Sequence, residues 1–256
     1  MEEEKTIYEF DLALIGEYYS QLTRQGIGSP EMTIKALSFI DSLSQKSKIA
    51  DLGCGTGGQT VVIAQNTGGN ITAVDILPDF ITIVNDNAKN LNLQTRIKGI
   101  VGSMDNPAFG SEELDLIWCE GAVYNIGFRR ALNEWKKYLK KGGFIAISDA
   151  SWITEERPSE IENYWTHHYP EITTVAENVD VMQKSGFIPF SVFIMPDNCW
   201  IDNYFIPQIP VQEFFLKKYR GNKAVEEFID GCRREEKMYH EYKDFYGYVF
   251  YIGKKI

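Results

Sequence analysis

The fold of this chain is decided by the stretch Lys48-Ile49-Ala50-Asp51-Leu52-Gly53-Cys54-Gly55-Thr56-Gly57-Gly58-Gln59-Thr60. An apolar run enters a cluster of glycines, and a second apolar run at helical spacing, Val61 to Ala64, leaves it. This order predicts a β-strand, a tight glycine turn and an α-helix, which together form the first unit of an open α/β sheet. Gly53 and Gly55 are predicted to take positive φ, so that a ligand can lie against their backbone.

Two kinds of ligand suit such a turn. Gly53, Gly55 and Gly58 fit the pattern G-x-G-x-x-G, which is shared by NAD and FAD sites. Asp51, two positions before Gly53, favours another ligand, because its charge would repel a pyrophosphate and attract an ammonium or a sulfonium. S-adenosylmethionine (SAM) carries both positive groups, and the pattern therefore favours SAM over a dinucleotide.

The same stretch resembles the D-x-G-C-G-x-G loop of the class I SAM-dependent methyltransferases. The resemblance continues in order over roughly residues 46–150. Among subfamilies, the chain looks most like the ubiquinone/menaquinone-biosynthesis-type small-molecule methyltransferases. The further motifs that carry the resemblance are Ala73-Val74-Asp75-Ile76, Gly102-Ser103-Met104-Asp105, Leu114 to Glu120, and Leu139-Lys140-Lys141-Gly142-Gly143-Phe144.

Strands that alternate with helical patterns predict parallel crossovers, and the resemblance implies an α/β, Rossmann-like, doubly wound sheet. We expect seven mostly parallel strands, with strand seven antiparallel, in a single domain over residues 1–256. N-terminal helices occupy residues 1–45, the SAM-binding core 46–150, and the substrate-side half 151–256. Residues 197–244 depart from the family pattern as a helical insertion between strands six and seven. We expect this insertion to cover the substrate end of the cleft; a dimer contact or a buttress is the alternative.

The cofactor site follows from the glycine turn, the strand ends and the resemblance. Asp75 ends the second strand about twenty residues beyond the glycines, where a carboxylate accepts from ribose hydroxyls. The resemblance places Ile76 beside the adenine, with Ser103 and Met104 at its border. The family commonly has Asp where Ser103 stands, so Asp105 or a backbone carbonyl is the alternative adenine contact. The predicted cofactor-binding residues are Asp51, Gly53, Cys54, Gly55, Gln59, Asp75, Ile76, Ser103, Met104 and Glu120.

No catalytic residue can be assigned from the pattern. Methyl transfer from a sulfonium is an in-line displacement, in which the protein mainly supplies position and excludes water. A general base is needed only where the acceptor must first lose a proton. Adjacent His167 and His168 point to different faces of a predicted helix, and no third ligand is suitably spaced, so no metal site is predicted. The catalytic candidates are Glu120, Tyr124, Asp149 and His167.

The composition of the chain restricts the classes of partner and substrate that it is expected to bind. The net charge is −10 and no basic cluster dominates the sequence, which disfavours nucleic acid as the main substrate. The acidic start lacks the basic and apolar regions of a secretory signal, and no apolar run approaches the ~20 residues that span a bilayer. We therefore expect a cytoplasmic protein with a small-molecule substrate and no stable membrane insertion; a homodimer is left open.

The sequence favours a SAM-dependent methyltransferase that acts on a small molecule by in-line displacement. Two alternatives stay open at this point. One is a protein that binds SAM without methyltransferase activity, because a weak catalytic signature is common to both. The other is a NAD(P)-dependent oxidoreductase on a similar sheet, against which Asp51 argues. The pattern does not indicate whether O, N, C or S is methylated.

Overall fold

A computed structural model describes residues 11–41 and 43–256. Within these residues a single sheet of eight strands forms the centre of the molecule. Helices lie on both faces of the sheet. The strands are β1 (Lys48–Leu52), β2 (Asn70–Asp75), β3 (Ile97–Val101), β4 (Leu114–Glu120), β5 (Leu139–Trp152), β6 (Thr173–Thr174), β7 (Phe187–Ile194) and β8 (Tyr246–Lys255). The helices are α1 (Leu12–Tyr19), α2 (Pro30–Leu37), α3 (Gly58–Asn66), α4 (Pro78–Asn90), α5 (Phe128–Trp135), α6 (Ser159–His168), α7 (Val175–Lys184), α8 (Ile206–Lys218) and α9 (Lys223–Tyr242).

The strand order is β3-β2-β1-β4-β5-β8-β7, with β6 paired to the end of β5. β1 to β5 pair in parallel, and β8 lies antiparallel between β5 and β7. This confirms the predicted Rossmann-like sheet with an antiparallel last strand. The predicted number of seven strands is wrong by one: the apolar pattern predicts the fifth strand over Phe144 to Ser148, whereas β5 continues to Trp152. The extension pairs Ser151 with Thr173 and so creates the two-residue β6.

The helices predicted from the sequence agree with the structure only in part. α2 begins at Pro30 as expected, and the Ser29 hydroxyl accepts a hydrogen bond from Met32 N at 3.2 Å. The helical spacing of apolar residues predicts a helix over residues 7–24; its start lies outside the described residues, and its described part ends at Tyr19. The same spacing predicts a helix from Arg129 to Leu139, which is wrong at its end: α5 stops at Trp135, and one 3₁₀ turn leads directly into β5.

The insertion packs against the N-terminal helix. Tyr18 of α1 contacts Phe215 of α8 and Phe228 of α9 edge to face, with ring centroids 5.3 and 5.1 Å apart. Its hydroxyl also donates to Gln208 Oε1 at 3.0 Å. We call α1, α8 and α9 together the cap. Among the residues described, none of the helices combines the length and apolar character that crossing a bilayer requires.

Candidate functional site

The glycine turn has the backbone conformation that the sequence predicts at two positions. Gly53 and Gly55 have φ of 72° and 55°. The third left-handed residue is Gly57, with φ of 86°, whereas Gly58 is the first residue of α3. Both Gly53 N and Cys54 N donate to Val74 O, at 2.9 and 3.1 Å. The turn is thereby fastened to the end of β2.

Asp51 lies beneath this turn and is fully buried. Its carboxylate accepts from the Thr60 hydroxyl at 2.5 Å and from Gln59 Nε2 at 3.4 Å. Gln59 also donates to Cys54 O at 3.1 Å, so both side chains brace the turn from inside. Burial raises the pKa of Asp51 to about 7, and its negative charge is therefore only partly present at neutral pH. Direct attraction of a ligand by Asp51, and contact of Gln59 with a ligand, stay predictions.

Asp75 joins the turn to the predicted nucleoside site. Its Oδ2 accepts from Gly55 N at 3.0 Å and its Oδ1 from Leu77 N at 3.1 Å. Each carboxylate oxygen has two lone pairs, so each retains one for a further donor such as a hydroxyl. Ile76, the next residue, is 51% exposed. Val101, the register partner of Asp75 on β3, is 55% exposed. An apolar shelf next to a carboxylate suits an adenine and its ribose, and these residues therefore fit the nucleoside part of SAM.

The turn after β3 is held by its own contacts. Asp105 N donates to Ser103 Oγ at 3.1 Å, and Asp105 pairs with Arg130 at 2.9 Å. Trp135 Nε1 donates to Met104 O at 2.9 Å and fixes the backbone there. Contact of Ser103, Met104 or Asp105 with an adenine stays a prediction.

The segment Gln25-Gly26-Ile27-Gly28-Ser29, whose glycines predict a flexible turn, lies over the glycine turn. We call residues 20–29, which link α1 and α2, the connector. Gln25 Oε1 accepts from Thr56 N at 2.9 Å, and Gln25 Nε2 donates to the Thr56 hydroxyl at 2.8 Å. A Cβ on Gly26 would lie 3.3 Å from Gly121 Cα, in the loop after β4. The connector therefore covers the ends of both β1 and β4.

The Glu120 carboxylate is bound by side chains of the connector and of the adjacent elements. The carboxylate pairs with Arg24 at 2.5 Å, and its Oε2 lies 3.0 Å from both the Thr33 hydroxyl and Trp118 Nε1. Its side chain is 1% exposed. These contacts assign Glu120 a structural role in closing the cleft. A direct role towards cofactor or acceptor stays a prediction.

The other catalytic candidates lie in different surroundings. Asp149 is 1% exposed at the end of β5, and its Oδ2 accepts from the Tyr169 hydroxyl at 2.7 Å. Tyr124 is partly buried, with its ring centroid 6.4 Å from that of Tyr169. His167 is exposed near the end of α6 and has no contact with Asp149 among those the described residues make. The structure thus brings Asp149 and Tyr124 into one region and leaves His167 on the surface.

The aromatic residues at the start of the insertion are buried. Trp200 stacks on Tyr239 of α9 with centroids 4.4 Å apart, and Phe205 packs against the same pair. Tyr204 differs, because its hydroxyl donates to Glu235 Oε2 at 3.1 Å. Trp200 and Phe205 therefore anchor the insertion. In residues 11–41 and 43–256 no group of three or more His, Cys, Asp or Glu side chains is placed to hold a metal ion.

Comparison with known proteins agrees with this geometry. Residues 50–147 match the model of a family described as methyltransferase domain. The chain is similar in structure to a SAM-dependent methyltransferase from Thiobacillus denitrificans solved with S-adenosylhomocysteine, with a TM-score of 0.82 at 17% identity over 96% of this chain and 100% of that one. Residues 50–147 therefore carry the sequence pattern of a methyltransferase domain, and the chain has the fold of the SAM-dependent methyltransferase to which it is similar.

Two curated relatives are similar to parts of this chain. Phosphoethanolamine N-methyltransferase of Plasmodium falciparum is 25% identical over 185 residues, which cover 71% of this chain and 65% of the relative. Sterol 4-C-methyltransferase of Caenorhabditis elegans is 26% identical over 133 residues, which cover 50% of this chain and 39% of the relative. The chain thus covers less than two thirds of the length of each relative.

Several groups around the candidate site were missed by sequence reasoning. Gln25 and Arg24 reach it from the connector, where the glycines at 26 and 28 were a signal of close backbone approach. Val101 was overlooked because only its pairing with Asp75 shows that it borders the same shelf. Glu235 stands in a run of mixed charge that reads as a solvated helix face, and the sequence carries no signal of its burial.

Proposed function

We propose that this chain is a SAM-dependent methyltransferase that transfers the methyl group to a small-molecule acceptor by in-line displacement. The observation that carries the proposal is Asp75. Its carboxylate holds the glycine turn through Gly55 N and keeps lone pairs for the ribose, beside the exposed shelf of Ile76 and Val101. The exposed apolar side chains of Ile76 and Val101 beside this carboxylate support a nucleoside at this position.

Each part of the site has a separate task in this proposal. The glycine turn provides backbone against which the methionine part lies, and Asp75 orients the nucleoside. SAM supplies an activated methyl group, so the chain needs to align the acceptor and exclude water. The connector excludes water, because Gln25 and Arg24 hold it across the ends of β1 and β4.

The acceptor is not taken from the relatives. One is named for methylation at nitrogen and the other at carbon, and the chain covers less than two thirds of either. Placement near the ubiquinone/menaquinone-biosynthesis type rests on the order of the motifs between residues 46 and 150 and is likewise a proposal.

Calorimetry with SAM, S-adenosylhomocysteine and NAD tests cofactor choice. We expect SAM and S-adenosylhomocysteine to bind and NAD not to bind; thermal stabilisation gives a second readout, since ligand at 100 times its dissociation constant adds about 2.7 kcal/mol. Binding of NAD alone would favour the oxidoreductase. Incubation with SAM and a metabolite extract should then yield S-adenosylhomocysteine. Binding of SAM with no turnover on any fraction would favour the binding protein without activity.

A further inference from the structure

The outward face of α8 is largely apolar, although a surface helix usually turns charged and polar residues to the solvent. Counted from the first residue of α8, positions i, i+3, i+4, i+7, i+8 and i+11 lie on one face of the helix. All six residues at these positions are exposed, and four of the six are apolar. We call these six residues the outer face: Ile206, Ile209, Pro210, Glu213, Phe214 and Lys217.

The opposite face of α8 is held inward by polar contacts. Gln208 and Gln212 are only 1% and 6% exposed. Gln208 accepts from the Tyr18 hydroxyl at 3.0 Å and donates to Tyr204 O at 3.0 Å. Gln212 accepts from Arg233 Nε at 3.3 Å. Turning α8 over would break these hydrogen bonds and leave the buried Tyr18 hydroxyl unpaired, so the apolar face stays on the surface of the folded chain.

The C-terminal end of the outer face is basic. Residues 206–223 contain four basic residues and one acidic residue, which gives a net charge of +3 in a chain whose net charge is −10. Lys218 pairs with Glu17 at 2.6 Å. The other three basic residues are exposed and form no ion pair within the described part of the chain. They are Lys217, Arg220 and Lys223.

The helix dipole does not account for all of these cations. Lys217 lies in the last turn of α8, where a positive charge is favourable. Lys223 is the first residue of α9, where the dipole disfavours a positive charge, and Arg220 lies between the two helices. An anionic partner outside the chain would account for both.

The size of the outer face distinguishes between partners. A helix of 13 residues is about 20 Å long and about 10 Å wide, so one face offers about 200 Å². A stable protein interface takes about 800 Å² from each partner, and a second copy of the chain would also bring its own positive charges to the contact. A lipid bilayer has no such minimum, because each inserted side chain and each cation contributes separately.

We propose that the outer face of α8 docks on the surface of an anionic lipid bilayer. Ile206, Ile209 and Phe214 enter the boundary between headgroups and acyl chains, and the cations at the end of the helix meet lipid phosphates. Docking of this kind is peripheral and reversible, and it agrees with the expectation of no stable membrane insertion. It does not depend on the proposed methyltransferase function.

The negative net charge of the chain does not prevent this contact. At physiological ionic strength, charges more than about 8 Å apart are largely screened, so the bilayer meets the local charge around α8. Glu213 on the outer face and Glu226 in the first turn of α9 reduce the attraction. The affinity is therefore expected to be moderate and sensitive to single charges.

Co-sedimentation of the full chain with lipid vesicles tests the proposal. Vesicles of phosphatidylcholine are compared with vesicles that also contain about 30% phosphatidylglycerol, at physiological ionic strength. We expect binding to the anionic vesicles to be about tenfold tighter or more, since each of three unpaired cations adds severalfold. No binding to the anionic vesicles, or equal binding to both, overturns the proposal. The assay contains no SAM, so its outcome is separate from that of the proposed function.

Two matched pairs of variants assign the contact to α8. The outer-face variants are Phe214→Ser and Ile206→Ser. The controls on β7 are Phe190→Ser and Ile194→Ser, at residues with the same exposed fractions, 49% for each phenylalanine and 50% for each isoleucine. We expect each α8 variant to bind anionic vesicles about fivefold to tenfold more weakly, whereas the controls bind like the parent. Equal losses in the two pairs, or a loss only in the β7 pair, overturn the assignment.

Charge variants separate docking at α8 from general adhesion. Lys223→Gln should weaken binding to the anionic vesicles about fivefold, and Glu213→Gln should strengthen it by a similar factor. Lys89→Gln removes a positive charge from an exposed position on α4 and is the control. Equal binding of all three variants would show that the charges around α8 do not meet the bilayer, and the proposal would be wrong.

Two further measurements distinguish a bilayer from a second copy of the chain. All five tryptophans of the chain are buried. With vesicles bound, added emission from Phe214→Trp should be quenched by brominated acyl chains, whereas that from Phe190→Trp should not. Absence of quenching in Phe214→Trp refutes insertion of the outer face. In sedimentation velocity without lipid, a dimer that Phe214→Ser dissociates would make the outer face an interface between copies and overturn the proposal.

Discussion

The two halves of the site are built in different ways. On the cofactor side, Asp51, Gly53, Gly55 and Asp75 come from a stretch of 25 residues and are joined by backbone hydrogen bonds. On the substrate side, the polar and aromatic side chains near the end of β5 come from α1, the loop after β4, the end of α6 and the insertion. Local backbone geometry therefore holds the first half, and tertiary packing holds the second. Variants should affect the two halves through different measurements.

The largest effect is expected for Gly55→Val. Gly55 has φ of 55°, which a β-branched residue resists, and a Cβ there would overlap Gln25 Oε1. We expect SAM binding to fall below detection by calorimetry while far-UV circular dichroism stays that of a folded protein. Gly231→Ala is the control, since a Cβ at Gly231 meets nothing within 4 Å. Normal SAM affinity in a folded Gly55→Val protein would remove the glycine turn from the cofactor site.

Asp75→Ala should weaken SAM binding by about 1.5–3 kcal/mol, the usual cost of losing hydrogen bonds to a charged acceptor. The same change releases Gly55 N and Leu77 N, so hydrogen exchange in residues 53–57 should become faster even without SAM. Asp79→Asn, at an exposed position in the first turn of α4, should change neither quantity. Unchanged affinity in Asp75→Ala would refute the ribose assignment, and unchanged exchange would refute its part in holding the turn.

On the substrate side, Asp149 should make the free energy of unfolding depend on pH. The pKa of Asp149 is raised from 3.8 to about 7, so between these values the folded chain holds a proton that the unfolded chain has released. The free energy of unfolding therefore falls as pH rises from 5 to 7, by up to about 1.4 kcal/mol per pH unit from this group. Burial is the main cause of the raised pKa; the hydrogen bond from Tyr169 lowers this pKa, and the negative charge of Glu171 raises it.

Asp149→Asn should remove that part of the slope, measured by urea unfolding at pH 5, 6 and 7. Asp202→Asn, at an exposed position in the insertion, should keep the slope of the parent protein. An Asp149→Asn slope equal to that of the parent would mean that the carboxyl is ionised throughout this range, and the contrast between the two halves would lose its electrostatic basis.

The smallest effect is expected where the two halves meet, at the connector. Gln25→Ala removes both hydrogen bonds to Thr56 and should weaken SAM binding by about 1 kcal/mol, mainly through faster dissociation. Stopped-flow release of S-adenosylhomocysteine measures this directly. Gln21→Ala changes an exposed glutamine of the same connector and serves as the control. Equal release rates for the two variants would show that the connector does not hold the ligand.

How much could be predicted differs between the halves for a physical reason. Some features depend on neighbouring residues and on the 2- and 3.6-residue periods. They are the positive φ at Gly53 and Gly55, the helix N-cap at Ser29 and the parallel order of β1 to β5. Such features are local, and the sequence alone determined them. The burial of Asp51 was not foreseen, because the same acidic residue reads equally well as a ligand contact and as a brace for Thr60.

The sequence by itself determined the sheet, the glycine turn and the position of Asp75. Only the tertiary structure decided that the connector lies over the turn, that β5 continues to Trp152 and that His167 is exposed. It also brought the Tyr18 hydroxyl to Gln208 Oε1, 190 positions away in the chain. Contacts at such separations depend on how α1, α8 and α9 pack over the sheet, and no period or motif in the chain records that packing.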